Sequence, residues 1–188
     1  MSSKTRREQL IEAYHSQKIP ECALMLDNVH DPHNVAAVSR SADALGISRI
    51  YLYYTYNDMP VLNRLGHKSS ASAIKWIEFE AVDDLGGFVS KKKQEGFVFL
   101  GAQKREGSID LRNYSWPEKM ILVMGSEKHG ISSEVQALLD ESLHIPMVGM
   151  VESFNISVAA SIFLYQIFLE KGKELDTELV NSLRGERA

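Results

Sequence analysis

Short apolar runs alternate with amphipathic segments along most of the chain. The apolar or alternating runs typical of strands cover residues 23–26, 49–54, 75–79, 97–100, 120–124 and 143–145. Segments with helical spacing cover residues 4–17, 31–46, 82–94, 132–139, 153–169 and 174–183. Because strands alternate with helices, the pattern predicts an α/β fold with a mainly parallel sheet and helices on both faces. We expect one domain over residues 21–170, with short helical extensions at 1–20 and 171–188.

The segment from Ser153 to Leu169 differs from the other predicted helices because apolar residues occupy nearly all of its faces. Ser153 is a residue type suited to cap such a helix. A helix that is apolar all round must be covered on more than one side. The sheet of one domain covers one side, so the pattern predicts that a second copy of the chain covers the other and that the protein is a homodimer.

The composition is typical of a globular protein of a reducing compartment. The chain has 188 residues, of which 44% are hydrophobic and 24% charged, and this suits one compact core. Cys22 stands alone, so neither an intramolecular disulfide nor a cysteine metal site is expected. The polar start does not resemble a secretory signal, and the apolar run from Phe154 to Leu169 is shorter than the roughly 20 residues of a membrane span. We expect a cytoplasmic protein that does not cross a membrane.

The net charge of −4 argues mildly against nucleic acid as a partner, although it leaves room for a local basic patch. Basic residues cluster near the N-terminus, in 91–93, in 104–105 and near 171–173. Each cluster has the alternative interpretation of a solvated helix face. The candidate RNA contacts are Lys4, Arg6, Arg7, Lys104 and Arg105.

Three polar or glycine-containing segments, 27–40, 125–130 and 146–155, follow predicted strands. Ligands of parallel sheets bind at the carboxyl ends of the strands, so these segments are the candidate site. In the first, Arg40 lies on the far side of its helix from the apolar stripe, and it either faces a ligand or is a solvated arginine. Asn34 lies in the first turn of that helix, where its amide either faces a ligand or makes a local capping contact. In the second, Glu127 stands between two glycines and either bonds a ligand or braces a loop. The second segment lacks the Gly-Lys-Ser/Thr ending of a phosphate loop.

The ranges Asn34–Arg40, Gly125–Gly130 and Ile145–Ala159 resemble the three signature motifs of the SpoU family of RNA ribose 2′-O-methyltransferases, within the SPOUT superfamily. The motifs occur in the family's order, and the resemblance extends from about Ala23 to Leu169. The N-terminal helix and residues 26–34 further resemble the TrmH subgroup, which methylates the D-loop guanosine at position 18 of tRNA. Phe154 stands where that motif usually has Leu, and the extension after Leu169 is short for the subgroup.

The resemblance implies a fold with a deep trefoil knot near the C-terminus, threaded by the third motif, and an obligate homodimer. It implies that S-adenosyl-L-methionine binds in the knot and is held mostly by backbone groups. The residues that it places around this cofactor are Ala102, Gly125, Ile145, Met147 and Phe154.

The resemblance also implies the chemistry, in which a ribose 2′-hydroxyl attacks the sulfonium methyl. Arg40 is the principal catalytic residue, and it is arranged by Asn34, Glu127, Ser153 and Asn155. The family assigns the arginine the role of general base. Because an arginine guanidinium stays protonated in proteins, an arginine that binds a phosphate and polarises the hydroxyl, with the phosphate as proton acceptor, is equally consistent.

No metal is expected, since the sulfur that leaves already carries a positive charge in the methyl donor. The histidines of the candidate segments, His30, His33 and His129, are therefore expected to be loop or surface residues rather than ligands.

Two alternatives remain for the function. The target could be a wobble-position tRNA ribose or an rRNA ribose, although the basic N-terminal helix favours the D-loop. The chain could also be a catalytically silent RNA-binding factor, against which the intact set of candidate catalytic residues argues.

Overall fold

The structure is a computed structural model that describes residues 5–56, 58–59, 74–173, 175–176, 178 and 182. The strands are β1 (Cys22–Asp27), β2 (Arg49–Tyr53), β3 (Glu78–Ala81), β4 (Val98–Ala102), β5 (Ile109–Asp110), β6 (Met120–Gly125) and β7 (Glu141–His144). The helices are α1 (Arg6–Ser16), α2 (Pro32–Ala44), α3 (Leu85–Gln94), α4 (Ser133–Gln136) and α5 (Ile156–Lys171). The strands form one seven-stranded sheet in the order β3-β2-β1-β6-β4-β7-β5, and all its neighbours are parallel. The predicted α/β fold class is confirmed.

Helices cover both faces of the sheet, as the pattern predicted. Alternate residues of β1 enter two separate hydrophobic clusters, Leu24 on one face and Met25 on the other. The first cluster also contains the buried residues of α2 and α5, and the second contains those of α3 and α4. Because strands such as β1 are buried on both faces, they read as continuous apolar runs in the sequence.

Several elements begin or end elsewhere than predicted. The run at 75–79 is a short 3-10 turn followed by β3, since Glu78 to Ala81 pair with β2. The helix predicted from residue 82 begins at Leu85, because the Asp84 side chain caps it by accepting from the Gly87 amide at 3.0 Å. The helix predicted over 132–139 is only the single turn of α4. The predicted C-terminal helix over 174–183 lies mostly outside the described residues.

The connection from β4 to β5, residues 103–108, crosses β7 on the face that α3 and α4 cover. Ala102 at the end of β4 and Ile109 at the start of β5 both pair with Leu143, so β7 lies between them. Two side chains on that face of β7, Ser142 and His144, bond to the two ends of this crossover.

The chain then returns towards β6 over the opposite face of β7. Leu111 and Trp116 join the cluster of α2 and α5, which also contains Leu143, and the Tyr114 hydroxyl donates to Glu141 at 2.5 Å. The segment from β4 to β6 therefore passes around β7 on both faces. Such threading is what a trefoil knot requires, and the knot itself stays a prediction.

Candidate active site

The three candidate segments meet at the carboxyl edge of the sheet. Asp27 and Gly125 are paired as the last residues of β1 and β6, which are neighbours. The first segment continues into α2, the second forms the turn 125–130, and the third leads from β7 into α5. Side chains from all three segments bond to one another at this edge.

A hydrogen-bond network joins Asn34, Glu127 and Asn155. The Asn34 amide nitrogen donates to the Glu127 carboxylate, and its oxygen accepts from the Asn155 amide nitrogen at 3.1 Å. The Asn155 oxygen in turn accepts from the Ser157 amide at 2.8 Å and so caps α5. Because Asn34 uses both ends of its amide, it fixes the position of the other two side chains.

Arg40 lies on the exposed side of α2, opposite the buried Val35, Val38 and Ala42, as predicted. It makes no hydrogen bond or ion pair with the residues that the structure describes. It lines an open groove of about 520 Å³ between α2 and α5. The groove's other lining residues are Ala37, Ser41, Ser157, Val158, Ser161, Ile162, Tyr165 and Gln166.

Ser153 is exposed in the loop before α5 and is not joined to the network among the described residues. The interpretation of Ser153 as the helix cap is wrong, because Asn155 caps α5. The side chain of Asn155 is held at the start of α5 by a second bond, which its nitrogen donates to Asn34, whereas Ser153 has no such bond among the described residues.

The turn that carries Glu127 is closed at its base and tightly packed. Ser126 and Gly130 exchange two backbone hydrogen bonds, of 3.0 and 2.8 Å. A Cβ added to Gly125 would lie 2.1 Å from the backbone carbon of Gly130, so only glycine fits there. The turn therefore has little freedom, and it holds Glu127 next to Asn34.

The candidate cofactor residues Ala102, Gly125 and Ile145 end or directly follow β4, β6 and β7, which are neighbours in the sheet. Met147 and Phe154 belong to the loop between β7 and α5. Through residues 146–153 of this loop, the backbone makes no hydrogen bond with any residue that the structure describes. Backbone donors and acceptors left unpaired in this way are available to a ligand.

The model of the SpoU rRNA Methylase family matches residues 21–165 of this chain. The chain belongs to the SpoU family. It is 32% identical over 160 residues to a tRNA (guanosine(18)-2′-O)-methyltransferase of Thermus thermophilus, and the match covers 85% of this chain and 80% of the relative. The likeness thus extends over most of both proteins.

Solved structures of SpoU proteins have the same fold. The TrmH/SpoU tRNA modifying enzyme of A. aeolicus superposes with a TM-score of 0.73 at 25% identity, over 96% of this chain and 95% of that one. The SpoU methyltransferase AviRb of Streptomyces viridochromogenes, in complex with AdoMet, superposes with a TM-score of 0.70 at 24% identity. That likeness covers 80% of this chain and 58% of AviRb and concerns the fold alone.

Two buried polar residues at the end of β1 brace this SpoU site, and the sequence had not indicated them. Asp27 accepts from the Ser132 amide at 2.6 Å and from the Asn28 side chain at 2.8 Å, which ties β1 to the chain two residues after the 125–130 turn. Burial raises the pKa of the Asp27 carboxyl. A polar pair directly after an apolar strand was the available signal, since such residues are rarely buried without partners.

The candidate RNA contacts lie in two places. Arg6 and Arg7 are exposed on α1, and Lys104 and Arg105 are exposed on the crossover. Lys4 lies outside the described residues. In the cluster at 91–93, by contrast, Lys92 pairs with Glu95 at 2.7 Å and Lys93 with Asp140 at 2.6 Å.

The described residues contain no group of three or more His, Cys, Asp or Glu side chains that could hold a metal ion. His30, His33 and His129 are exposed in loops or in the first turn of α2. Among the described helices, none is both long and apolar enough for a membrane span.

Proposed function

We propose that the protein transfers a methyl group from S-adenosyl-L-methionine to a ribose 2′-hydroxyl of RNA, with the guanosine at position 18 of tRNA as the favoured target. The observation that carries the proposal is the network of Asn34, Glu127 and Asn155, in which Asn34 stands on the same helix as the exposed Arg40. The name of the Thermus relative, 32% identical over most of both chains, supports the tRNA target.

Arg40 binds the RNA in this mechanism. It has no partner among the described residues, so its guanidinium is available to bridge a phosphate and the ribose hydroxyl. A planar group with several N–H donors suits two oxygens at once. Since the guanidinium stays charged, it polarises the hydroxyl, and the phosphate or water takes the proton. Ser153 is exposed near the network and is assigned to orient the same phosphate or ribose.

The candidate cofactor residues fit a ligand that is held by backbone. The backbone of loop 146–153 has no hydrogen-bond partner among the described residues, and the loop carries apolar side chains at Met147, Val148 and Met150. When bound, S-adenosyl-L-methionine supplies a methyl group on a positively charged sulfur, which leaves as a neutral thioether. We assign Ala102, Gly125 and Ile145 to hold it from the strand ends, with Met147 and Phe154 on the loop side. The match to the model of the SpoU rRNA Methylase family supports a methyl donor as the cofactor.

We further propose that the protein is a homodimer that acts in the cytoplasm and contains the trefoil knot. The groove beside Arg40 is apolar over much of its length, and Tyr165 in its lining is 51% exposed. Val158 and Leu169 of α5 are also exposed. Contiguous exposed apolar surface of this kind marks an interface, and a second copy of α5 would cover it.

Sedimentation tests the dimer. The wild-type protein should sediment as a dimer at micromolar concentration, whereas Tyr165→Glu should shift it towards a monomer of 21.1 kDa because a charge would enter an apolar contact. Glu170→Gln is a control on the same helix that leaves the apolar residues unchanged. A wild-type protein that stays monomeric would contradict the proposal.

The candidate basic residues near the N-terminus and on the crossover are assigned to RNA backbone contacts. These are Lys4, Arg6, Arg7, Lys104 and Arg105. Each phosphate contact that is lost should reduce the salt dependence of RNA binding, with a slope change of about 0.7 to 0.9 per contact.

The function is tested by supplying the purified protein with labelled S-adenosyl-L-methionine and unmodified tRNA. The expected product carries one labelled methyl on the ribose of guanosine 18. Ribose-methylation maps of RNA from cells with and without the protein identify the target independently. If the methyl that is missing in cells without the protein lies at a wobble ribose or in rRNA, that nucleotide is the target instead of guanosine 18. The proposed ribose methylation would still hold.

A further inference from the structure

Asn28, directly after β1, holds the loop that follows β2, and its own backbone has an unfavourable conformation. It is buried, and its φ of 54° lies in the left-handed region, which non-glycine residues seldom occupy. Its side-chain oxygen accepts from the amides of Thr55 at 2.9 Å and Tyr56 at 3.2 Å, and its nitrogen donates to the Thr55 hydroxyl at 3.2 Å. Strained backbone that is held by several bonds is characteristic of functional sites. The residue whose position it fixes is Tyr56.

Tyr56 is an exposed aromatic residue on the loop that follows β2. Its side chain is attached to the turn that carries Glu127: its hydroxyl lies 3.4 Å from the Ser126 hydroxyl, and its ring centre lies 5.6 Å from that of His129. The Ser126 hydroxyl also accepts from the His129 amide at 3.2 Å. Tyr56 is thus held at its backbone by Asn28, and its side chain packs against the turn.

Among the residues that the structure describes, much of the flat surface of the Tyr56 ring has no partner. Tyr56 is 48% exposed, and its ring stands at 89° to that of His129. An edge-to-face pair covers at most one face of one ring, so ring surface remains for another flat partner. The bases of RNA loops stack on exposed aromatic side chains of this kind.

We propose that Tyr56, braced by His129, is a stacking platform for a nucleobase of the RNA substrate. The proposal rests on the proposed function, because the platform is attached to the same turn as Glu127, which bonds to Asn34. Because Ser126, which Tyr56 contacts, is adjacent to Glu127 in the chain, a ribose presented to that network brings its own base or a neighbouring base close to Tyr56. Stacking accepts any base, so the platform contributes affinity and orientation while other contacts select the sequence.

The test compares Tyr56→Leu and Tyr56→Phe with the wild-type protein. Leucine keeps apolar volume without a flat ring, and phenylalanine keeps the ring without the hydroxyl. For unmodified tRNA, we expect KM to rise about tenfold in Tyr56→Leu and to stay within about twofold in Tyr56→Phe. Affinity for S-adenosyl-L-methionine, measured by calorimetry without RNA, should be unchanged in both, and thermal melts should match the wild type.

An unchanged KM in Tyr56→Leu would overturn the platform while leaving the methyltransferase function intact. An equal loss in Tyr56→Phe and Tyr56→Leu would also overturn it, because the contact between the hydroxyl and Ser126 would then be what matters. A wild-type protein that methylates no RNA would overturn the proposed function, and the platform with it.

Discussion

The two halves of the candidate site are built from different kinds of groups, side chains in one half and backbone in the other. The catalytic half consists of side chains, in which Asn34 bonds to both Glu127 and Asn155. The cofactor half consists of strand ends and a loop whose backbone is unpaired from 146 to 153 among the described residues. A side-chain network is sensitive to single substitutions that leave the fold intact, whereas a backbone site is sensitive only to changes that move the backbone. The two halves should therefore respond to mutation in different ways.

The largest effect is expected at Arg40 in the catalytic half. Arg40→Ala should lower the single-turnover rate of methyl transfer to unmodified tRNA by about a hundredfold or more, since it removes a charge that stabilises the transition state. Arg40→Lys should lower this rate by a similar factor, because an ammonium cannot bridge two oxygens as a planar guanidinium does. Calorimetry should find unchanged affinity for S-adenosyl-L-methionine, and the melting temperature should stay within about 2 °C.

Two outcomes would change the interpretation of Arg40. A near-normal single-turnover rate in Arg40→Ala would make the arginine an ordinary surface residue. Unfolding of the variant would instead make it a structural residue of the subunit contact, and the catalytic role would pass to another residue.

Asn34→Asp should have an intermediate effect that depends on pH. The new carboxylate still accepts from Asn155, but it faces Glu127 where an amide had donated, and two adjacent carboxylates raise the pKa of one of them. At a pH of about 8 the rate relative to wild type should fall by about tenfold or more, as expected for a lost bond to a charged group. As the pH is lowered, one carboxyl takes up a proton and can donate again, so the relative rate should recover.

Asn34→Ala is the matched control for this pH dependence. It removes the bond to Glu127 without adding a charge, so its rate relative to wild type should be low at every pH. Parallel pH profiles for the two variants would show that no carboxylate pair forms, and the assigned contact between Asn34 and Glu127 would be wrong.

The smallest effect is expected in the cofactor half, at the hydrogen bond between His144 and Ser108. The Ser108 hydroxyl donates its proton to the Arg105 carbonyl at 2.7 Å, so the His144 Nδ1, at 3.0 Å, must carry a proton and donate to Ser108. This bond anchors the crossover that begins directly after Ala102. His144→Ala should therefore raise the Kd for S-adenosyl-L-methionine by about fivefold, the effect of one hydrogen bond of about 1 kcal/mol.

His144→Asn and Ser108→Ala sharpen the test. The asparagine amide can donate from nearly the same place, so this variant should bind the cofactor almost as well as wild type. Ser108→Ala removes this bond and also the two bonds between the Ser108 hydroxyl and the Arg105 backbone, so it should weaken binding at least as much as His144→Ala. The double variant should bind no more weakly than Ser108→Ala, because the His144 bond is already lost in that variant. Additive losses would mean that the two residues act independently.

Most of the sheet could be predicted because its central strands are unbroken apolar runs, as in β1 and β6. The start of α2 was equally clear, since Asp31 and Pro32 are both favoured at a helix N-terminus and the structure has Asp31 as its cap. The two-residue strand β5 could not be predicted, because its pairing with β7 depends on the path of the crossover. The helix predicted over 132–139 was too long, because tertiary contacts determine where a helix as short as α4 ends.

The candidate site could be predicted as a set of residues but not as a geometry. The motifs identified Asn34, Glu127 and Asn155, and the structure joins all three. The bracing residues were missed because their partners are distant in sequence: Ser132 lies 105 positions from Asp27. No local sequence pattern indicates a contact between two residues so far apart in the chain.

The central claim is that this chain methylates a ribose of RNA, and one measurement tests it most directly. The purified protein is incubated with labelled S-adenosyl-L-methionine and unmodified tRNA, and the product is digested to nucleosides. We predict labelled 2′-O-methylguanosine from position 18, formed by the wild-type protein and absent with Arg40→Ala. Label on a base, or no label in any RNA while S-adenosyl-L-methionine binds normally, would contradict the account.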